Sequence, residues 1–214
     1  MANDNRSYKY NSTSESKREE FTKIMAMIDP GSKVVDLGCG DGTLLRMLKE
    51  DKQCSCKGME LVASGVEVCR ERGLDVVQGR IDERLPYADN EFDVAICNVT
   101  IQMVMYPEVL LSEMKRISKR QIITFPNFAY FRNRLEMLFS GRMPKKMLFG
   151  YYWYSTGHIH QLSLRDFKEL VTNVGGLKIN RMRFMKVRVK VIDKLGFLFP
   201  NLFRKLVIFE TERV

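Results

Sequence analysis

The chain of 214 residues has little of what marks a secreted, metal-rich or membrane-spanning protein. Its five cysteines are odd in number and irregularly spaced, which excludes a disulfide framework and is typical of buried thiols. Its two histidines are too few for a convincing metal site, so we expect no metal. No apolar run reaches the ~18 residues of a membrane helix, and the N-terminus lacks the apolar segment of a signal peptide. We expect a soluble, cytoplasmic protein without a membrane partner.

What is present is close to the globular average, with 45% apolar and 29% charged residues. The net charge of +9 is concentrated between Lys178 and Lys205, where nine basic residues face Asp193 alone. Such a patch is compatible with a polyanion or an acidic protein partner, but most charge runs are simply a solvated face. Because no nucleic-acid-binding motif accompanies it, we do not expect nucleic acid as a partner.

Strand-like and helical patterns alternate along most of the chain. We predict a flexible tail over residues 1–13 and a helix over 14–28, followed by five short apolar runs separated by helical stretches. This alternation predicts βαβ units and a parallel sheet with both faces covered. The predicted strands are 33–37, 56–60, 74–78, 92–97 and 121–125.

The pattern after residue 125 is less regular. It predicts a helix over 127–140, a long aromatic-rich loop, and a helix over 163–173 that begins with a capping box of Ser163 and Asp166. Two strands, 177–185 and 206–211, are joined too directly for a parallel crossover, so we expect an antiparallel edge pair. Residues 14–214 are therefore predicted to form one α/β domain.

The strongest functional signal is the segment Val34-Val35-Asp36-Leu37-Gly38-Cys39-Gly40-Asp41-Gly42. It lies at the carboxyl end of the first strand and before a helix, which is where parallel sheets bind ligands. A dinucleotide-binding loop would have its third glycine at position 43, where Thr43 stands, and Asp36 would repel a pyrophosphate. An acid at this position suits a ligand that carries an ammonium group.

This arrangement resembles the first motif of class I S-adenosylmethionine-dependent methyltransferases, whose donor is cationic and has no phosphate. The resemblance implies a doubly wound, Rossmann-like, mostly parallel seven-stranded sheet. It also implies that S-adenosyl-L-methionine is the cofactor, with Glu60 on the ribose hydroxyls, Leu61 beside the adenine, and Asp82 on the adenine amine. Arg80 stands where the family often has that last acid. The implied cofactor-binding residues are Asp36, Gly38, Cys39, Gly40, Gly42, Glu60, Leu61, Ile81, Asp82 and Asn98.

The acceptor side of the cleft is less clearly marked. Asn98 ends the fourth strand, where its backbone carbonyl would bind the cofactor's amino group or its side chain would bind an acceptor. Gln102 follows a few residues later, and His160 is a third candidate for a catalytic role. His158 and His160 lie two apart, as metal ligands can, but no third ligand is evident. The aromatic residues 149–154 would line a pocket, bind a partner, or pack in the core.

Several more specific segments are similar to one family within this class. They are QIITFPNF at 121–128, Gly141-Arg142-Met143-Pro144, and Tyr152-Trp153-Tyr154, and together with the glycine loop they resemble the MetW family of methionine biosynthesis proteins. The resemblance covers roughly residues 24–212. It implies an association with homoserine O-acyltransferase and leaves the methyl acceptor unidentified.

Three functional hypotheses follow. The first is a MetW-type methyltransferase that acts in methionine biosynthesis, for which the sulfonium donor needs mainly alignment and a dry cleft. The second is a non-catalytic, ligand-sensing partner of homoserine O-acyltransferase. The third and weakest is RNA methylation, which only the basic C-terminal third of the sequence favours.

Overall fold

The computed structural model describes Tyr10 and residues 18–145, 152–154, 156–185 and 190–214. Most of the predicted tail 1–13 lies outside these residues. The helices are α1 (Glu19–Met25), α2 (Thr43–Lys52), α3 (Ala63–Glu71), α4 (Pro107–Ile117), α5 (Phe131–Ser140), α6 (Leu164–Val174), α7 (Lys190–Leu198) and α8 (Pro200–Phe203). The strands are β1 (Lys33–Leu37), β2 (Ser55–Glu60), β3 (Asp75–Gln78), β4 (Phe92–Asn98), β5 (Ser118–Pro126), β6 (Leu177–Phe184) and β7 (Leu206–Arg213).

The seven strands form one sheet in the order β3-β2-β1-β4-β5-β7-β6. The first five are parallel, whereas β7 is antiparallel to both β5 and β6. The predicted fold class and the antiparallel C-terminal pair are confirmed. β6 is the edge strand, because β7 inserts between it and β5. The strand order reverses between β1 and β4, and this is the position at which doubly wound sheets open a ligand crevice.

The two faces of the sheet bury alternate residues of the same strands. Val34 packs with α1 and α2 on one face, and its neighbour Val35 packs with α4 and α6 on the other. Successive side chains of a strand point to opposite faces, so a continuous apolar run fills both cores at once. This explains why β1, with four consecutive buried residues, is recognisable from sequence alone.

Two helix boundaries differ from the prediction. The first helix ends at Met25 rather than at residue 28. The helix predicted over 127–140 begins only at Phe131, because the Asn127 side chain accepts a hydrogen bond from the Ala129 amide and donates two to the carbonyls of Asn201 and Arg204. An asparagine that bonds nearby backbone in this way competes with helix formation. No helix in the described part of the chain is long and apolar enough to cross a membrane.

The capping box at the start of α6 provides a test of local stability. Ser163 Oγ accepts from the amides of Arg165 and Asp166, and the Asp166 carboxylate accepts from the Ser163 amide at 2.7 Å. We expect Ser163→Ala to lower the free energy of unfolding by about 1 kcal/mol, as measured by urea denaturation. Thr172→Ala removes a hydroxyl from the exposed side of the same helix. An equal loss in this control would contradict the assignment.

Candidate functional site

The candidate site is a crevice at the carboxyl ends of β1, β2 and β4. The loop from Gly38 to Gly42 joins β1 to α2, and its glycines have positive φ angles. A Cβ atom at Gly38 would lie 2.6 Å from Cγ2 of Thr100, and one at Gly42 would lie 2.5 Å from Cδ1 of Leu74. The loop is therefore packed so closely against its neighbours that a side chain at either position would clash. The amides of Gly38 and Cys39 both donate to the Met59 carbonyl, which fixes the loop to the end of β2.

Asp36 is a buried carboxyl at the base of this loop. It is 2% exposed, and its Oδ1 has no hydrogen-bond partner among the described residues. Burial and, to a lesser extent, the charge of Glu60 raise the pKa of Asp36 to about 7, although the charge of Arg18 lowers it. A buried charged oxygen without a partner is costly unless a ligand provides one. The site can therefore stabilise a cation placed against Asp36.

Glu60, at the end of β2, is held rigidly by the backbone. One carboxylate oxygen accepts from the Gly40 amide at 2.8 Å, and the other accepts from the Val62 amide at 3.0 Å. Each oxygen of an ionised carboxylate has more than one acceptor position, so both can accept a further hydroxyl. Leu61 follows directly and is 45% exposed, as a residue that contacts a flat apolar ring must be. The predicted ribose and adenine contacts therefore lie next to each other.

Asp82 is buried but already satisfied in part. Its Oδ2 accepts from the amides of Met105 and Tyr106, at 2.7 and 3.2 Å, and from the Arg80 guanidinium at 2.9 Å. This oxygen thus fixes the segment that precedes α4 and neutralises Arg80. Ile81 beside it is buried. The role of these residues in adenine binding stays a prediction.

Asn98 is fixed at the end of β4 by the neighbouring strand. Its Oδ1 accepts a hydrogen bond from the Thr124 hydroxyl, which in turn accepts from the Val99 amide at 2.9 Å. Val99 has a φ of 55°, an uncommon value for a β-branched residue. The chain therefore turns sharply here, and the Asn98 carbonyl accepts from Thr100 Oγ1 at 3.0 Å. This turn therefore orients both the backbone carbonyl and the side-chain amide of Asn98.

Gln102 and His160 lie together on the acceptor side. The His160 amide donates to the Gln102 carbonyl at 3.1 Å, and the imidazole Nε2 lies 3.3 Å from the Met105 carbonyl. Gln102 is 2% exposed; its Nε2 donates to the Pro126 carbonyl, and its Oε1 is a second buried oxygen without a partner in the described ranges. The fold thus brings together two of the three residues predicted as catalytic candidates, 58 positions apart in the sequence.

Tyr10 is a residue of the crevice that sequence reasoning missed. It lies in the predicted tail, yet its amide is 3.4 Å from Ser64 Oγ and its ring lies against the glycine loop. A Cβ at Gly40 would be 3.4 Å from the ring, and one at Gly65 would be 3.1 Å from it. The one sequence signal for this contact is the glycine at positions 40 and 65, since any larger residue there would press against the ring.

The five cysteines are free thiols, and four of them are buried. Cys39 belongs to the glycine loop; a hydrogen bond with Cys69 and burial raise the pKa of its thiol. Burial also raises the pKa of Cys97 to about 12. The Cys39 and Cys97 thiols are therefore protonated at neutral pH, so these two act as small apolar groups and not as nucleophiles. No group of three or more potential metal ligands occurs in the part of the chain that the structure describes.

The remaining motifs are more peripheral. Tyr152, Trp153 and Tyr154 are exposed; Tyr152 stacks on Tyr154, and Trp153 meets Tyr154 edge to face. Phe149 and Tyr151 lie outside the described residues. Within the basic segment, Arg204 is buried against Asp193, and Lys178 is 3.5 Å from Glu212. Part of the positive charge is thus used in internal ion pairs.

The strand order and the crevice define a Rossmann-like protein of the methyltransferase fold. An S-adenosylmethionine-dependent methyltransferase from Mesorhizobium loti aligns with a TM-score of 0.64 and 16% identity, over 91% of this chain and 97% of that one. The 4+2 cyclase SpnF aligns with a TM-score of 0.63 and 16% identity, over 91% of this chain and 80% of its own. At these identities the similarity shows the fold alone.

The family model of the methionine biosynthesis protein MetW matches residues 18–211, and the chain belongs to this family. The family recognised in the sequence is thereby confirmed. The bifunctional methionine biosynthesis protein MetXA/MetW of Rhodopirellula baltica is 35% identical over 158 residues, which are 69% of this chain and 25% of that protein. The chain therefore spans a quarter of the length of this relative.

The raised pKa of Asp36 predicts how stability depends on pH. Because its pKa is about 7 in the folded chain but about 4 when unfolded, the unfolded state releases this proton first. Stability should therefore fall as the pH rises from about 4 to about 7. We expect Asp36→Asn to remove a pH-dependent loss of about 4 kcal/mol, from about three pKa units at roughly 1.4 kcal/mol each.

Urea denaturation at a series of pH values measures this difference in slope. Asp51→Asn, a change at an exposed carboxyl near the end of α2, is the matched control and should keep the wild-type slope. An Asp36→Asn profile parallel to that of the wild type would show that folding does not raise the pKa of Asp36.

Proposed function

We propose that this chain binds S-adenosyl-L-methionine in the crevice and uses it as a methyl donor in methionine biosynthesis. The observation that carries the proposal is Asp36, a buried carboxyl whose Oδ1 has no partner among the residues described, beside a loop with three positive-φ glycines. A ligand with a positively charged amino group satisfies this oxygen, whereas a pyrophosphate would be repelled by it. The family assignment and the fold of the solved relatives agree with this ligand.

The residues fit the rest of such a ligand. Glu60 has free acceptor capacity on both oxygens for the two ribose hydroxyls, and the exposed side chain of Leu61 is available to an adenine ring. The Gly40 amide, which donates to Glu60, fixes the distance between the loop and the ribose position. The Asn98 carbonyl, at the end of the neighbouring strand β4, is the proposed second acceptor for that amino group.

The chemistry demands little of the side chains. The bound sulfonium provides an activated methyl group, which moves to a lone pair of the acceptor while the sulfur keeps the bonding electrons. The protein must hold the acceptor in line and exclude water. Gln102 offers a buried amide oxygen, unpartnered within the described structure, that can accept from an acceptor N–H or O–H, and His160 beside it can take the proton that the acceptor loses.

Calorimetry with S-adenosylmethionine and with NAD tests the proposed ligand. We expect the wild type to bind only the first, and Asp36→Asn and Glu60→Gln to weaken that binding by about tenfold or more, since each removes a charge-assisted contact. Asp51→Asn is the control and should bind as the wild type does. Binding of NAD, or full affinity in Asp36→Asn, is incompatible with the proposal.

A second candidate function is regulation of homoserine O-acyltransferase, and a specific observation favours it. In the Rhodopirellula baltica relative, MetXA and MetW are parts of one protein. In this chain, helix α5 has ten residues of which only Asn133 is buried, while Leu138 and Phe139 are 73% and 81% exposed. A contiguous exposed apolar surface is typical of a protein interface, and a helix this short is marginal in water without packing.

Mixing this chain with the homoserine O-acyltransferase of its own organism tests the association. We expect a complex in light scattering after gel filtration and a changed kcat of the acyltransferase. Replacing Leu138 and Phe139 together by serine should weaken the complex at least tenfold, because central apolar contacts dominate interfaces. Val77→Ser alters an exposed apolar residue of β3 and is the control. An unchanged complex in the double variant would place the interface elsewhere.

A further inference from the structure

The ring of Tyr10 occupies a recess formed by two glycines. Cβ atoms built at Gly40 and Gly65 would lie 3.4 and 3.1 Å from the ring, so side chains at these positions would press against it. The same Gly65 position is 3.0 Å from Cγ of Glu60 and 2.8 Å from the Gly40 carbonyl oxygen. The Tyr10 ring, the glycine loop and the stem of Glu60 therefore meet around one point.

We infer that Tyr10 is a further ligand-binding residue of this chain, whose ring covers the ribose end of the donor crevice beside Glu60. This inference rests on the proposed function, since it concerns the same ligand. It adds an aromatic contact to a subsite that otherwise consists of one carboxylate and backbone amides. The Tyr10 amide, 3.4 Å from Ser64 Oγ, ties the backbone of Tyr10 to the start of α3.

The chemistry of the subsite defines the class of ligand. An aromatic ring packs well against the C–H face of a sugar, and its quadrupole adds nothing favourable for an anion. Glu60, buried and fixed by two backbone amides, repels a phosphate on either ribose hydroxyl. The subsite therefore selects adenosine compounds whose 2′ and 3′ hydroxyls carry no phosphate, such as S-adenosylmethionine and S-adenosylhomocysteine.

Calorimetry with S-adenosylmethionine and S-adenosylhomocysteine provides the first test. We expect Tyr10→Ala to bind both about three- to tenfold more weakly, in line with one lost aromatic contact, and Tyr10→Phe to bind within about twofold of the wild type. Phe199→Ala removes an exposed ring from the junction of α7 and α8 and is the matched control. Equal affinity in Tyr10→Ala would overturn the inference, and so would tighter binding, which would show that the ring occupies the position of the ligand.

A spectroscopic test is independent of affinity. Trp153 is the chain's single tryptophan, so the double variant Trp153→Phe, Tyr10→Trp carries one indole at position 10. We expect saturation with S-adenosylhomocysteine to change its emission, and the variant with Trp153→Phe and Phe199→Trp to show no change. An unaltered emission at position 10, at concentrations where calorimetry shows binding, would overturn the inference. Failure of the wild type to bind either compound would instead remove the proposed function itself.

Discussion

Asp36 imposes the constraint on which the crevice depends. Its carboxyl lies near the carboxyl end of β1, the strand at which the order of the sheet reverses, and is only 2% exposed. An unpartnered buried carboxylate costs free energy, which is why burial raises the pKa of Asp36. The fold tolerates this cost only if another state of the protein recovers it. In the proposed function a bound cation does so, and the crevice would then exchange stability for ligand recognition.

Much of this arrangement is predictable because it depends on local patterns. β1 has the predicted boundaries, since a β-branched apolar run followed by Gly38 admits few other structures. The alternation of strands and helices determines which strand ends meet, so the sequence alone is enough to predict that Asp36 and Glu60 lie at the same edge of the sheet. The capping box at Ser163 is equally local and occurs as predicted. These features follow from interactions within a few residues, or from the topology of a parallel sheet.

The features that sequence could not provide are contacts between distant polar groups. Tyr10 reaches Gly40 and Gly65 across the crevice, and no periodicity signals such a contact. The adenine contact of Asp82 stays a prediction, but the contacts that Asp82 makes within the protein are also long-range: three donors share its Oδ2, two of them from a segment more than twenty residues away. Asn127 delays the start of a predicted helix because its side-chain amide binds the carbonyls of Asn201 and Arg204. In each case a long-range hydrogen bond or ring contact decides the outcome, and such contacts have no local signature.

The proposed reaction depends on the acceptor side of the crevice, where Asn98, Gln102 and His160 lie. A cyclase shares this fold, so the sheet and its helices do not determine what chemistry follows ligand binding. Here the acceptor side is joined to β5 by hydrogen bonds, from Thr124 to Asn98 and from Gln102 to the Pro126 carbonyl, and β5 leads directly through a turn to α5. A protein bound to α5 therefore contacts the element that continues from the acceptor side. If that partner and the donor influence each other's binding, linkage requires the effect to be equal in both directions. A donor that raises the affinity for the partner tenfold would then have its own affinity raised tenfold by the partner. Donor binding and partner binding, on which the two candidate functions rest, would thus report on one coupled equilibrium.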